Sequence, residues 1–280
     1  MPEPVKRLGD KYQTALITGG TSGLGLAFSE MLANEEVETF SASRHPSKLP
    51  SISGLHGLEL DLKDFSSVFD FARSFTDDNG VPDLLINNAG YGAFFDWDRF
   101  PEEQIDGQLD VMLKAPVILS RLFAPNMAEK EYSGIVNVSS LAVQFPLPFL
   151  PLYNTAKAGL SAFSSSLMME FHGSSPFVVD FRPGDFCTPF NEVAHLDEDL
   201  ASRRAVRVWH GMKKRLARAP NPAKAAIKMR SALLRGKSGV VYAGGFFQAR
   251  ILPLLHRILP ARFLLRSVSC YHGLEKPSSD

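Results

Sequence analysis

Short apolar segments that favour β-strands alternate with helical patterns along most of this chain. Seven segments are predicted as strands, at residues 14–18, 37–43, 57–62, 83–88, 134–140, 177–184 and 239–244. Helical patterns lie between them, including one long helix predicted over 102–127. Because each crossover between parallel strands places its helix on a sheet face, we predict a doubly wound α/β fold with a seven-stranded, mostly parallel sheet and helices on both faces.

The helix between the third and fourth predicted strands has the clearest pattern. Its apolar residues predict one buried face, formed by Phe65, Val68, Phe69, Ala72 and Phe75. No linker rich in proline, glycine or serine divides the chain, so we predict a single domain over residues 1–280.

Composition excludes several classes of function. Thirty basic and thirty acidic residues cancel, so we predict no nucleic-acid partner. The two cysteines, Cys187 and Cys270, belong to no CxxC or Cys/His cluster, which argues against a disulfide framework and a metal site. The N-terminal residues lack the apolar stretch of a signal peptide, and we expect the protein in the cytoplasm.

The C-terminal extension, residues 244–280, is apolar and carries four arginines. Pro253 and Pro260 are expected to divide it into short helices, and it is too interrupted to span a bilayer. Two interpretations stay open. The extension packs on its own domain or a partner subunit, which we favour, or it lies on an anionic membrane surface as a peripheral contact.

Three glycines, Gly19, Gly23 and Gly25, follow the first predicted strand. Without Cβ atoms, such a turn lets the chain approach a pyrophosphate whose charge is met by the amides at the start of the next helix. The turn therefore indicates a dinucleotide site, at the crevice where the winding of a doubly wound sheet reverses.

Four ordered motifs together resemble the short-chain dehydrogenase/reductase (SDR) family over about residues 12 to 243. TGGTSGLG resembles that family's TGxxxGxG turn, NNAG at 87–90 its fourth-strand motif, YNTAK its YxxxK, and RPGDFCT its PG turn with a downstream threonine. The resemblance implies a Rossmann-type core, a nicotinamide cofactor and a substrate lid over 185–220. It also implies that Asn87 ties neighbouring strands together.

The motifs and strand ends predict the cofactor-binding residues, which are Gly19, Thr21, Ser22, Gly23, Leu24, Gly25, Ser43, Arg44, Asp61, Leu62, Asn88, Ala89, Gly90, Tyr153, Lys157, Pro183, Gly184 and Thr188. Arg44 stands at the end of the second strand, where an acidic residue would repel a ribose 2′-phosphate. Its guanidinium can instead bind that phosphate, with Ser43, His45 and Lys48 nearby in sequence. We therefore predict NADP(H).

The predicted catalytic residues are Ser140, Tyr153 and Lys157. Tyr153 and Lys157 are four residues apart, so both can point from one helical face. The lysine ammonium is expected to lower the pKa of the phenol, which exchanges a proton with the substrate oxygen. Ser140 is expected to donate a hydrogen bond to that same oxygen. These roles predict an oxidoreductase that interconverts a carbonyl and an alcohol.

One family residue is missing. Where the family has an asparagine that helps to hold a water molecule for proton relay, this chain has Met112. A thioether cannot supply the donors of an amide, so either backbone groups hold the water or proton delivery is impaired. The alternative function is therefore a nucleotide-binding sensor or scaffold with weak or no turnover.

An apolar stretch lies between Ser140 and Tyr153 and includes Phe145, Leu147, Phe149 and Leu150. We predict that Phe145 and Leu147, with Ser140 and Tyr153, bind an apolar ketone, aldehyde or alcohol. The alternative is that these side chains only pack against neighbouring structure. A homodimer through the two long helices around the fifth strand is expected from the resemblance.

Overall fold

The computed structural model describes residues 7–189 and 201–274. Its sheet contains seven strands: β1 (Thr14–Thr18), β2 (Glu38–Ser43), β3 (Leu55–Glu59), β4 (Leu84–Asn87), β5 (Gly134–Val138), β6 (Phe177–Pro183) and β7 (Gly239–Ala243). Their order is β3-β2-β1-β4-β5-β6-β7, and every neighbouring pair is parallel. The predicted doubly wound fold is confirmed. The winding reverses between β1 and β4, which opens a crevice at the carboxyl ends of those strands.

Nine α-helices accompany the sheet: α1 (Gly23–Asn34), α2 (Phe65–Asn79), α3 (Glu102–Leu109), α4 (Ala115–Met127), α5 (Pro151–Glu170), α6 (Arg203–Leu216), α7 (Ala223–Arg235), α8 (Leu252–Ile258) and α9 (Ala261–Tyr271) among the described residues. Helices α1 and α7 cover one face of the sheet, where Phe28 and Met229 meet Ile17 of β1. The opposite face is covered by α2 and α4, whose Phe75 and Phe123 pack on Leu16. Helices therefore lie on both faces, as predicted.

The helix predicted over 102–127 is interrupted. A single π-helical turn, Asp110–Lys114, separates α3 from α4. Pro116 has no N–H and cannot donate to the carbonyl of Met112, so a regular α-helical bond is impossible at this point. The helical turn is widened by one extra residue at Met112, the position where the family has its proton-relay asparagine.

The predicted buried face of α2 is partly wrong. Val68, Ala72 and Phe75 are buried, but Phe69 is 39% exposed. Phe71 packs against the core cluster in its place. Phenylalanines at both positions leave the inward face ambiguous in sequence, and in the fold it is Phe71 that stacks on the buried Phe75.

The C-terminal extension forms α8 and α9, which are divided at Pro260 as predicted, whereas Pro253 does not divide it, because a π-helical turn at Phe247–Ile251 continues directly into α8. Between residues 246 and 271, only Pro253 and Leu264 are buried. The extension therefore buries few side chains against its own domain. Within residues 7–189 and 201–274, the protein has no helix with the length and apolar character needed to cross a membrane.

Candidate active site

The glycine turn between β1 and α1 needs its glycines. Gly19 and Gly23 have φ angles of 68° and 55°, which disfavour other residues. A Cβ on Gly25 would lie 2.2 Å from the Gly19 carbonyl oxygen. Ser22 precedes α1 without forming a side-chain cap, so the first amides of the helix are left for an anionic ligand.

The end of β4 is hydrogen-bonded to this turn. The Asn88 side chain donates to the carbonyl oxygens of Thr18 at 3.0 Å and Gly19 at 3.2 Å. The Thr18 hydroxyl accepts from the backbone amides of Asn88 and Ala89. Asn87 donates instead to Asn137 on β5 at 2.8 Å, which confirms its predicted role between strands.

The three predicted catalytic side chains lie together. Ser140 follows β5, and its hydroxyl is hydrogen-bonded to the Tyr153 phenol and accepts from the Ala142 amide at 3.0 Å. Tyr153 lies in the first turn of α5, and the Lys157 ammonium is 5.9 Å from its ring centroid. Lys157 also donates to the Val138 carbonyl oxygen at 2.8 Å, which fixes it beside the end of β5.

Burial dominates the electrostatics of this group. It raises the pKa of Tyr153, which the Ser140 hydrogen bond lowers and the Asp185 carboxylate raises further. The expected net lowering of this pKa is therefore wrong for the protein alone. Burial also lowers the pKa of Lys157 to about 8, against the opposing effect of Asp180. A lysine that is partly neutral near pH 8 stabilises a phenolate less than a full ammonium does.

Met112 is buried on the π-helical turn, beside Lys157. A Cβ on Gly90 would lie 3.2 Å from the Met112 sulfur and 3.4 Å from the Lys157 ammonium nitrogen. The thioether therefore occupies space next to the ammonium, where a proton relay would pass. A side chain on Gly90 would contact both groups and displace at least one of them by a few tenths of an ångström.

A buried ion pair, which was not predicted from the sequence, lies behind the group formed by Ser140, Tyr153 and Lys157. The Asp180 carboxylate accepts from Ser139 and from Ser161 at 2.7 Å, and Arg182 donates to it at 2.8 Å. Arg182 also donates to Ser161 at 2.8 Å. The pair thereby links β6, the segment before Ser140 and the helix that carries Lys157. The available signal in the sequence was an acidic residue, Asp180, within an apolar predicted strand and two residues before Arg182.

The opposite end of the crevice carries two cations, Arg44 and Lys63, together with the Asp61 carboxylate. Arg44 is exposed after β2, and its charge lowers the pKa of Tyr91, although burial raises that pKa by more. The Lys63 ammonium lies 5.6 Å from the Tyr91 ring centroid, and the Asp61 carboxylate accepts from the Lys63 amide at 3.0 Å. Lys63 and Tyr91 were not predicted. Each directly follows a predicted cofactor motif, which was the signal available.

Four more residues lie at or near the end of the crevice that carries Arg44. Ser43 has a buried hydroxyl without a hydrogen-bond partner within the described protein. His45 and Lys48 are exposed around a short 3₁₀ turn, and Leu62 is buried just beyond β3. An orphaned buried hydroxyl at a strand end is suited to a ligand hydroxyl or phosphate.

The PG turn closes the crevice from the side of β6. Pro183 ends that strand, and the Gly184 amide donates to the Ala243 carbonyl at 2.7 Å. The side chain of Thr188 lies against the glycine turn, 3.3 Å from the position of a Cβ on Gly23. The central part of the predicted lid, 190–200, lies outside the described residues, and its later part includes α6.

Apolar side chains form a wall beside Tyr153. Leu147, Phe149 and Tyr153 pack against a buried cluster that includes Phe94 and Trp209. Phe149 has a φ of 61°, a left-handed conformation that costs a bulky residue about 1–3 kcal/mol. Strain of this kind often occurs at ligand sites.

The two other apolar residues of the predicted stretch differ in their neighbours. Leu150 is buried within the same cluster, whereas Phe145 contacts His256 of α8, with ring centroids 5.8 Å apart. Phe94 and Trp209 were not predicted, because no local pattern places the segment after β4 and helix α6 beside α5. The wall thus joins three distant parts of the chain.

Comparison with known proteins establishes the family. The family model described as short chain dehydrogenase matches residues 13–199, which is more than half of the chain. The chain belongs to the short-chain dehydrogenase family. A probable NADP-dependent dehydrogenase from Haemophilus influenzae is 30% identical over 69% of this chain and 80% of the relative. A 3-ketodihydrosphingosine reductase from Bacteroides thetaiotaomicron is 28% identical over 66% of this chain and 68% of the relative.

Solved structures share the fold of this family member. A short chain dehydrogenase/reductase from Burkholderia phymatum, solved in complex with NAD, aligns with a TM-score of 0.76 and 19% identity. The alignment covers 96% of this chain and 97% of that one. The glycine turn and the orphaned Ser43 hydroxyl fit a dinucleotide, the cofactor class of this oxidoreductase family.

Proposed function

We propose that this dehydrogenase is an NADP(H)-dependent oxidoreductase that interconverts an apolar ketone or aldehyde and its alcohol. The proposal depends on one observation, the joint placement of Ser140, Tyr153 and Lys157 at the carboxyl end of β5. Bound NADP(H) would supply or accept the hydride. The residues of this chain would bind the substrate oxygen and move its proton.

Tyr153 is proposed as the general acid and base. Its raised pKa keeps the phenol protonated near neutral pH, which suits proton donation to a carbonyl oxygen. The Ser140 hydroxyl would donate to the same oxygen as negative charge develops there. Lys157 would then return a proton towards Tyr153, and a pKa of about 8 suits a group that both holds and releases one.

The Met112 carbonyl is the proposed anchor for a relay water. Pro116 cannot donate to this carbonyl, so the backbone can replace the amide side chain that the family motif usually provides. The competing proposal is a nucleotide sensor with little turnover, which the buried thioether beside Lys157 favours.

The choice of NADP(H) is supported by the charge at the adenosine end of the crevice. Arg44 and Lys63 both lie near Tyr91, and no acidic side chain takes the position of Arg44 at the end of β2. Two cations favour a 2′-phosphate over a hydroxyl. The Haemophilus relative is named as a probable NADP-dependent dehydrogenase.

The substrate class is inferred from the apolar wall. Leu147 and Phe149 pack beside Tyr153, so a substrate carbonyl that reaches the phenol would have apolar neighbours. The name of the Bacteroides relative includes a keto group. The homodimer through α4 and α5 and the cytoplasmic location stay predictions, which sedimentation and cell fractionation measure.

Turnover of NADPH tests the proposal. Purified protein is assayed for NADPH oxidation with a panel of hydrophobic ketones and aldehydes, beside the variant Tyr153→Phe. We expect Tyr153→Phe to lower kcat by about 10²–10⁴-fold, because general acid catalysis is lost, while NADPH binding stays intact. Tight NADPH binding without turnover across the panel would favour the sensor.

A further inference from the structure

Charge is strongly segregated along this chain, although its sum is zero. Residues 201–274, here called the basic segment, contain sixteen arginines and lysines and no aspartate or glutamate. Residues 1–200 contain 28 acidic and 13 basic residues. The zero net charge therefore conceals a positively charged part of the molecule.

Exposed apolar side chains are concentrated in the same segment. Of the thirteen large apolar side chains exposed in the described chain, seven lie between residues 246 and 271. Six of these form what we call the C-terminal apolar surface: Phe246, Phe247, Leu254, Ile258, Phe263 and Leu265. Phe246 and Ile258 are 76% and 75% exposed, so their side chains lie almost wholly in water. Such a concentration marks an interaction surface.

Arginines lie between the residues of the C-terminal apolar surface along the chain. Arg262 and Arg266 lie one turn apart on α9, flanked by the exposed Phe263 and Leu265. Arg250 and Arg257 are exposed in the preceding helical segments.

Helix α6 continues the positive charge beside α9. The Arg215 guanidinium is 2.9 Å from a ring nitrogen of His272 and lies over the Tyr271 ring. The exposed face of α6 carries Lys213 and Lys214. Positive charge and exposed apolar groups therefore meet on adjoining helices.

We propose that the C-terminal apolar surface docks on an anionic lipid bilayer. Its phenylalanines and aliphatic side chains would enter the boundary between head groups and acyl chains, while the arginines would bind lipid phosphates. The complete absence of acidic side chains from the basic segment removes the repulsion that such a surface would otherwise meet.

Two other occupants fit less well. A two-fold contact between copies of this chain would bring the same patch against itself, and its arginines would face one another. A nucleic acid would neutralise the arginines and could stack on the phenylalanines, but it offers no apolar partner that would cover Leu254, Ile258 and Leu265. A lipid surface satisfies both the charge and the aliphatic groups.

The docked surface would adjoin the substrate wall, a point that rests on the proposed function. Helix α8 carries exposed Leu254 and Ile258, and its His256 ring contacts Phe145, two residues before Leu147 of the wall. A membrane-dissolved ketone would therefore reach the apolar side of the active site over a short path.

Vesicle flotation of the full chain tests the proposal. Purified protein is mixed with vesicles of phosphatidylcholine, with and without phosphatidylglycerol, and the bound fraction is measured at low and high salt. We expect binding only with the anionic lipid and weaker binding at high salt, because exposed charges are screened. The measurement needs no turnover, so its failure leaves the proposed activity untouched.

Matched variants separate the two contributions. Arg262→Glu with Arg266→Glu should weaken binding by at least about thirtyfold, the effect of two lost charges near the surface. Ile258→Ser should weaken it by roughly tenfold. Met169→Ser and Arg121→Glu remove exposed groups outside the basic segment and should leave binding unchanged.

Three results would overturn the proposal. The first is equal flotation with neutral and anionic vesicles, or none with either. The second is an oligomer that dissociates in the Ile258→Ser variant by sedimentation without lipid, which would assign the surface to a second copy. The third is binding of polyuridine that needs the arginines but not Ile258.

Discussion

At the end of the crevice where Ser140 and Tyr153 lie, Lys157 and Asp180 are 3% and 0% exposed, whereas Arg44 and Lys63 at the opposite end are exposed to solvent. Burial lowers the pKa of Lys157. The buried charge of Asp180 has no water around it, so it is stable only while its hydrogen-bond and ion-pair partners are present. The exposed Arg44 and Lys63 stay hydrated, so their effect on a bound nucleotide would come from their charge. We therefore expect large, pH-dependent effects of mutation at one end and small, salt-dependent effects at the other.

The strongest test of this difference is Asp180→Asn. Arg182 is almost buried, and the change removes its counter-ion. We therefore expect a loss of about 3–5 kcal/mol in the free energy of unfolding. Urea denaturation measures it. In a double-mutant cycle with Arg182→Met, the double variant should be more stable than the sum of the single changes predicts. Simple additivity would mean that the two side chains do not stabilise each other.

Lys157→Met tests the cost of the buried ammonium. The folded protein releases this proton at about pH 8 and the unfolded chain near 10.5, so the unfolded state binds more protons between these values. Wild-type stability should therefore gain about 3 kcal/mol relative to Lys157→Met as the pH rises from 8 to 10.5. Denaturation at several pH values provides the comparison. Parallel stability curves would show that this lysine is not desolvated.

Arg44→Asp tests the exposed end. We expect NADPH to bind about 10–100-fold more weakly, because a charge-assisted contact becomes a repulsion, with little loss for NADH. Fluorescence titration measures both dissociation constants. The same change at the distant Arg121 is the control. An unchanged preference for NADPH would remove Arg44 from the cofactor site.

Lys63→Ala should have the smallest effect. Its ammonium is exposed and lies over Tyr91, so we expect at most a fivefold loss of NADPH affinity. The loss should disappear at high salt, since exposed charges are screened. A loss as large as that of Arg44→Asp, or one that salt does not change, would mean that this lysine is desolvated when the nucleotide is bound.

The sequence predicted the sheet, the family and the close placement of Ser140, Tyr153 and Lys157 because each depends on local spacing. Tyr153 and Lys157 share a helical face wherever their helix lies, and the glycine turn directly joins a strand to a helix. The ion pair between Asp180 and Arg182 was missed because its other partners, Ser139 and Ser161, come from elements far apart in the chain.

Burial also could not be predicted from the sequence. The pKa of Tyr153 was expected to fall because the adjacent lysine is visible in the sequence, whereas the desolvation that raises it depends on packing across several elements. The choice between Phe69 and Phe71 on α2 likewise depends on packing against the core cluster, which several elements form. Both errors arise from contacts that no periodic pattern specifies.

The hydrogen bonds from Asn88 to the two carbonyls of the glycine turn have a further consequence. They hold the region for the pyrophosphate and the region for the nearby ribose in one fixed arrangement before any nucleotide arrives. Little chain entropy is then lost when the nucleotide binds, so more of the contact energy becomes affinity. Loosening this one amide would weaken both regions together.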